Sequence, residues 1–331
     1  MTVARRLELV CPAGTPAALR TAVDAGADTI YCGFADETNA RNFPGLNFSR
    51  DEMAAGIDYA HKRGAKVLVA INTFPRAGAG DFWRKAVADA EARAADAVIL
   101  ADIGLLAHAA DQHPKLRLHL SVQAAAANAD AINFYAREFG VKRVVLPRVL
   151  TVQEIAAINR EIDVETEVFI FGGLCVMAEG RCSLSSYATG KSPNMNGVCS
   201  PASHVEYREE GGDLASRLGG FAIHRSPHGA PAPYPTLCKG CFRAGDHVGH
   251  VFEDPVSLDA VALIPQLADA GVVALKIEGR QRSRAYTEAV VSSFRRAVDA
   301  HSAGRPIPAS DLRRLTEGQQ TTAGAYRKTW R

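Results

Sequence analysis

The sequence predicts an α/β protein, a (β/α)8 TIM-like barrel with a long cysteine-bearing insertion between strands seven and eight. Three observations predict it. Short β-rich runs alternate with helix-patterned segments, and most of the runs are continuously apolar, the pattern of parallel strands buried on both faces. The runs lie at 7–11, 29–33, 66–72, 97–102, 116–123, 143–148, 167–172 and 272–278. Eight of them favour a closed barrel over an open doubly wound sheet. The connections stay compact until the seventh run. About eighty residues then intervene before the last, well beyond ordinary loop lengths.

The helix punctuation agrees with that frame. Thr15-Pro16 supplies a cap and a first-turn proline, with Gly26 beyond the end of the helix. Ser49 with Glu52 and Thr151 with Glu154 have capping-box spacing. Gly140 follows 131–139 as a helix-ending glycine. The stretch 258–270 reads as a further helix before the last strand. The barrel is therefore expected over 1–305, with the insertion at 173–256 inside it. A polar tail, 306–331, carries aromatic anchors Tyr326 and Trp330 that would pack on the barrel or on a partner.

Composition narrows the function classes. A chain of 331 residues with 47% hydrophobic and 22% charged content can bury one large core. The net charge of +2 without a basic block gives little electrostatic footprint for nucleic acid, so no nucleic-acid partner is expected. The longest apolar runs fall short of a membrane span. No signal peptide opens the sequence, which implies a cytoplasmic location. Nucleotide-binding glycine fingerprints, Walker loops and H-E-x-x-H are absent from it.

The insertion concentrates the chemistry. Five of the seven cysteines fall between Cys175 and Cys241: Cys175, Cys182, Cys199, Cys238 and Cys241. Glycine, proline and small polar residues surround them, describing irregular backbone that can wrap an ion or cluster and donate N–H groups to sulfur. Disulfides do not suit thiols kept in a reducing compartment. Cys11 and Cys32 stand in apolar runs and read as buried hydrophobes. Only Cys238 and Cys241 have the C-x-x-C spacing common in zinc sites, and the other intervals are irregular. Spacing alone leaves an iron–sulfur cluster and zinc both open, because thiolates bind either. His247 and His250 could complete a small Cys2His2 site, against the plainer reading of surface histidines.

A second set of residues collects at the carboxyl ends of the strands, the face on which barrels place their sites. Asn72, Asp102, Gln123, Arg148, Glu278 and Arg280 end the runs, and the loop 36–47 adds Asn39 and Arg41. Strand ends often turn polar merely because they reach loops. Here Asp102, Arg148 and Glu278 are expected to converge on one mouth as substrate-binding candidates. Ser185-Ser186 lacks the strained G-x-S-x-G elbow of a hydrolase. No catalytic residue is assignable from pattern alone.

Specific stretches then carry a family resemblance over nearly the whole chain. They include Leu9-Val10-Cys11-Pro12-Ala13-Gly14, Thr38-Asn39-Ala40-Arg41, Gly45-Leu46-Asn47-Phe48 and Ala70-Ile71-Asn72-Thr73-Phe74. Val144-Val145-Leu146-Pro147-Arg148, Ser185-Ser186-Tyr187, Tyr234-Pro235-Thr236-Leu237-Cys238-Lys239-Gly240 and Lys276-Ile277-Glu278-Gly279-Arg280-Gln281-Arg282-Ser283 follow, with Gln320-Thr321-Thr322-Ala323-Gly324-Ala325-Tyr326 in the tail. The chain resembles the peptidase U32 family, and within it the UbiU branch. The resemblance implies a 4Fe–4S cluster on Cys175, Cys182, Cys199 and Cys238. Cys241 stands where that branch usually has arginine, which keeps it as an alternative to Cys238. It further implies a heterodimer with a UbiV-like homologous subunit, an associated lipid-carrier protein, UbiT, and oxygen-independent hydroxylation of a quinone precursor in ubiquinone biosynthesis, with prephenate as oxygen donor. Two other functions stay open: RNA base hydroxylation, which other branches of the family imply, and a non-catalytic electron-transfer subunit, since a cluster on four thiolates has no open iron site for substrate. Peptidase activity is not expected, since no nucleophile–base constellation accompanies the family label.

Overall fold

A computed structural model describes residues 7–42, 45–175, 182–193, 199–230, 235–309, 312–316 and 319–327. Eight parallel strands close on themselves. They are β1 (Glu8–Pro12), β2 (Thr29–Cys32), β3 (Lys66–Ile71), β4 (Ala97–Leu100), β5 (Leu118–Leu120), β6 (Arg143–Val145), β7 (Glu165–Gly173) and β14 (Ala274–Ile277). Each pairs with the next, β14 pairs β1 through Glu8↔Ala274, and β7 closes the ring through Glu167↔Ala274. The (β/α)8 expectation holds.

Alternation along each strand divides the core in two. Leu9, Cys11, Ile30, Val67, Val69 and Leu100 face the helices in the large outer core. Val10, Tyr31, Leu68, Ala70, Ile99 and Ala274 form a separate cluster inside the barrel. This is the period-two geometry of a pleated strand. The lumen also holds charge that a reading of apolar runs passes over. Arg143 Nη2 lies 2.7 Å from Glu8 and 2.8 Å from Glu165, and Arg143 Nη1 lies 3.3 Å from Glu167.

The helices begin where capping chemistry places them. α1 (Pro16–Asp24) starts at Thr15, whose side chain accepts from Ala18 N. Both capping boxes form, at α2 (Arg50–His61) and at α6 (Val152–Arg160). α5 (Ala129–Phe139) ends on Gly140 at φ 67°, a left-handed conformation that costs glycine little. Between these lie α3 (Gly80–Ala92) and α4 (Ile103–Gln112).

The insertion is more regular than irregular thiol-bearing backbone. After α7 (Ser183–Thr189), β8 (Val205–Glu210), β9 (Asp213–Leu218) and β10 (Phe221–Pro227) form an antiparallel sheet. Its hairpins turn on Gly211-Gly212 and Gly219-Gly220, all at positive φ, as two-residue turns require. A smaller hairpin joins β11 (Cys241–Ala244) to β12 (His247–His250). Ala188, Leu218, Ile223 and Leu237 give the excursion a small core of its own.

The helix expected over 258–270 is corrected. Ser257–Asp259 is strand β13, antiparallel to the end of β7, and only Ile264–Asp269 (α8) is α-helix. The cause lies in β7, whose nine residues run past the barrel and offer an edge for pairing. At Gly172, φ is 111° and an added Cβ would lie 2.6 Å from the Glu278 carbonyl oxygen, so a side chain there would collide with backbone. α9 (Arg284–Ser302) closes the barrel wall against α1. The tail adds β15 (Thr321–Thr322) beside β13 and buries Tyr326. Trp330 lies outside the described residues.

Candidate functional site

A cavity of about 80 Å³ opens where the strands end. Its barrel side carries Arg41, Asn72, Gln123, Arg148, Glu278 and Arg280. Cys175, Cys182 and Cys199 line the same space from the insertion. Thiols and guanidinium groups more than a hundred residues apart in the chain, Arg41 and Cys199 among them, therefore face one volume.

Side chains behind the wall fix the polar groups. Asn72 Oδ1 accepts from Ala40 N at 3.1 Å and its Nδ2 donates to Ser121 Oγ at 3.4 Å, pinning the loop after β2. Asn39 does not line the cavity but stands behind it. Its Oδ1 accepts from Arg280 Nη1 at 2.7 Å and from Arg41 N at 3.0 Å. The Arg148 guanidinium lies 3.6 Å from the Phe169 ring centroid, held by the electron-rich aromatic face. Arg280 lies 5.6 Å from the Tyr31 ring centroid, and burial pulls its pKa down to about 10. Glu278 Oε2 accepts from Gly173 N at 3.4 Å, joining the last strand to the segment that leads to Cys175. Gln123 Oε1 is buried and has no hydrogen-bond partner among the described residues, an acceptor suited to a ligand hydroxyl or water.

Asp102 is a correction. It is not part of the cavity wall, and its Oδ1 accepts from Leu105 N at 2.8 Å as the N-cap of α4. A residue that ends a strand and starts a helix satisfies the nearest bare N–H first. Pattern reading missed Tyr31, Phe169 and Lys276, which also line the cavity. The signal for Lys276 was present, since a lysine flanked by apolar residues inside a buried strand calls for a partner.

The cysteine segments are stitched together by neighbours. Cys175 follows β7 directly. Cys182 caps α7, with its Sγ accepting from Ser185 N at 3.4 Å. Ser186 Oγ donates to the Cys182 carbonyl at 2.9 Å, so both serines serve this turn. Ser200, beside Cys199, donates through Oγ to Pro235 O at 2.6 Å. Cys238 sits on the short turn Leu237–Lys239, which packs against α7. Cys241 instead opens β11, opposite His250.

The Cys2His2 reading is not supported. His247 and His250 are three apart on β12, so they point to opposite faces. His250 Nδ1 is directed at the carbonyls of Lys239 and Gly240, at 3.1 and 3.2 Å. Among the described residues, no three His, Cys, Asp or Glu side chains are grouped closely enough for a single metal ion.

Comparison with known proteins places the chain. A family model described as Peptidase family U32 matches residues 14–328. The chain is 31% identical over 327 residues to tRNA hydroxylation protein P of Escherichia coli (strain K12), covering 93% of this chain and 71% of that protein. It is 30% identical over 323 residues to the 23S rRNA 5-hydroxycytidine C2501 synthase of the same organism, covering 96% of this chain and 43% of that one. Among solved structures, the U32 peptidase Mk0906 aligns with a TM-score of 0.43 at 20% identity, over 50% of this chain and 68% of that one. The chain belongs to the peptidase U32 family.

Proposed function

We propose that this chain is the cluster-bearing subunit of an oxygen-independent hydroxylase acting on ubiquinone precursors. The observation that carries the reading is the shared cavity, in which Cys175, Cys182 and Cys199 face Arg41, Arg148 and Arg280. The names of two relatives, a tRNA hydroxylation protein and an rRNA hydroxycytidine synthase, support hydroxylation as the reaction type. The quinone precursor, prephenate as oxygen donor, the UbiV-like partner subunit and the carrier UbiT come from the motif resemblance. No helix among the described residues is long and apolar enough to cross a membrane.

The donor set fits a 4Fe–4S cluster. A single zinc ion draws its thiolates to about 2.3 Å from one centre. A cluster spreads its ligands over separate irons, and three thiols from distant segments lining one cavity, Cys175, Cys182 and Cys199, suit such a group. Cys175, Cys182, Cys199 and Cys238 would hold it, and the N–H of Ser185 would hydrogen-bond the Cys182 sulfur. When bound, such a cluster supplies electron transfer and, with four thiolates, offers no open iron position.

The protein's own groups do the binding. Arg148 and Arg280 suit a carboxylate, whose two oxygens match the planar guanidinium fork. Phe169 and Asn39 hold those guanidinium groups in place, and Gln123 Oε1 can accept a hydrogen bond from a ligand hydroxyl.

The test uses the holoprotein purified without oxygen together with its homologous subunit. Given a quinone precursor and prephenate in the absence of oxygen, the complex should add a hydroxyl to the ring. Failure there, with hydroxylation of cytidine in RNA instead, would replace this reading by the RNA one that the relatives' names favour.

A further inference from the structure

Lys276 lies on β14, 5% exposed, and lines the cavity from inside the barrel. Its Nζ is 2.6 Å from Glu167 Oε1 and 3.7 Å from the centroid of the Tyr31 ring. Glu167 is fully buried, and its other oxygen accepts from Arg143 Nη1 at 3.3 Å. Arg143 is held in turn by Glu8 and Glu165. Burying such a chain costs desolvation that an apolar lumen would avoid. It ends at the cavity.

Few cavity groups can exchange a proton. Arginines stay charged, and the thiols are cluster ligands under the function proposed above. The Tyr31 hydroxyl donates to Ile277 O at 2.9 Å, and burial pushes its ionisation far up. Among the described lining residues, Lys276 and Glu278 remain. Glu278 is tied to the Gly173 backbone, whereas Lys276 Nζ faces the cavity with Glu167 Oε1 at 2.6 Å behind it, and burial makes its charged form costly.

We propose that Lys276 is a catalytic residue of this cavity, exchanging a proton at Nζ with the bound small molecule, with Glu167 and Arg143 as positioning residues behind it. The proposal rests on the hydroxylation reading. Replacing a ring C–H by C–OH oxidises the ring carbon by two electrons, and the organic donor carbon that gives up its hydroxyl is reduced by two. The ring hydrogen leaves as a proton to the neutral Lys276 amine, and its bonding pair becomes the new ring C–O bond to the transferred hydroxyl. The donor carbon keeps the pair of the broken C–O bond and takes that proton from Lys276, so no further oxidant is needed.

The groups around the amine set the sign of the test. Glu167 on β7, Tyr31 on β2, Arg143 on β6 and His119 on β5 surround it in the lumen, with Glu278 and Arg280 just after β14. Burial lowers the pKa of Lys276 and Glu167 pulls it back up, while Arg280 and Arg143 oppose the charged form. Removing the Glu167 charge therefore lowers it further.

The experiment compares wild type, Glu167→Gln and the double variant Glu167→Gln/Lys276→Gln as loaded heterodimers, measuring iron per chain, melting temperature and kcat against pH. Glu167→Gln should keep its iron and move the acidic limb of the profile to lower pH. The double variant should keep its iron and lose kcat by about 100-fold or more at every pH. An unmoved limb, or a double variant as active as wild type, would overturn the proposal. Should the double variant not fold, the Glu167→Gln profile decides alone. If the wild type acts on RNA and not on the quinone precursor, the function reading fails and the same profiles on RNA decide the role of Lys276. A wild type inactive on both overturns both readings.

Discussion

The hydroxyl of Tyr326 donates a hydrogen bond to the carbonyl oxygen of Phe169. The contact joins the C-terminal tail to β7 close to a register shift, where Lys276 pairs with Phe169 and Ile277 with Phe171. The ring of Phe169 carries Arg148 on its face, so the tail supports the cavity wall through one residue. Tyr326→Phe keeps the packing but removes the donor from a buried carbonyl. A loss of about 1–3 kcal/mol is expected in denaturant unfolding. Unchanged unfolding would mean that the tail adds little to the barrel.

Asp102 tests a different separation. Its carboxylate caps α4, and asparagine caps nearly as well as aspartate. Asp102→Ala should cost about 1 kcal/mol, while Asp102→Asn should be close to neutral. Both should bind a carboxylate ligand as wild type does, read by titration calorimetry. Weakened binding by the asparagine variant would return Asp102 to the site.

How much was legible depended on the distance over which the cause acts. Thr15, Ser49 and Thr151 act on backbone three residues away, and all three caps stand as local signals imply. The same locality explains Asp102, because the end of a strand and the start of a helix occupy one position. Lys276 and Glu167 are 109 residues apart, and each sits in a run that reads as apolar. Nothing in either segment alone names the other. Ser257–Asp259 pairs with β7 only because that strand outruns the barrel. The Gly211-Gly212 and Gly219-Gly220 pairs fit two-residue hairpin turns, a local signal passed over when the insertion is read from its cysteines as irregular backbone.

The lumen network should give stability a pH dependence. Burial pushes the Glu8 carboxyl up, but the Arg143 hydrogen bond and charge, with the Thr29 hydroxyl, outweigh it, and the net pKa lies below the ordinary glutamate value. A depressed folded pKa means that the stabilisation is fully present above the unfolded value, about 4.3, and fades as pH falls through the folded one. Glu8→Gln should cost about 1.5–3 kcal/mol at neutral pH, the range for a hydrogen bond to a charged group. The difference from wild type should shrink in acid. Melting curves across that window check it, and a difference independent of pH would assign the loss to packing.

The cysteines allow the sharpest test of the cluster proposal. Cys175, Cys182 and Cys199 share the cavity, Cys238 lies on the turn packed against the helix that Cys182 caps, and Cys241 opens a separate hairpin. Cys238 is accordingly proposed as the fourth ligand, with Cys241 beside it. Protein purified without oxygen should carry about four irons and four sulfides per chain and show the brown absorption of a cluster. Alanine at Cys175, Cys182, Cys199 or Cys238 should remove most of that iron, because a metal site lacking one ligand binds weakly. Cys241→Arg should keep the full complement. If Cys241→Arg loses iron while Cys238→Ala keeps it, the two cysteines exchange roles and the hairpin becomes part of the site. Colourless protein with stoichiometric zinc would instead remove the cluster, and with it the electron transfer proposed for this subunit.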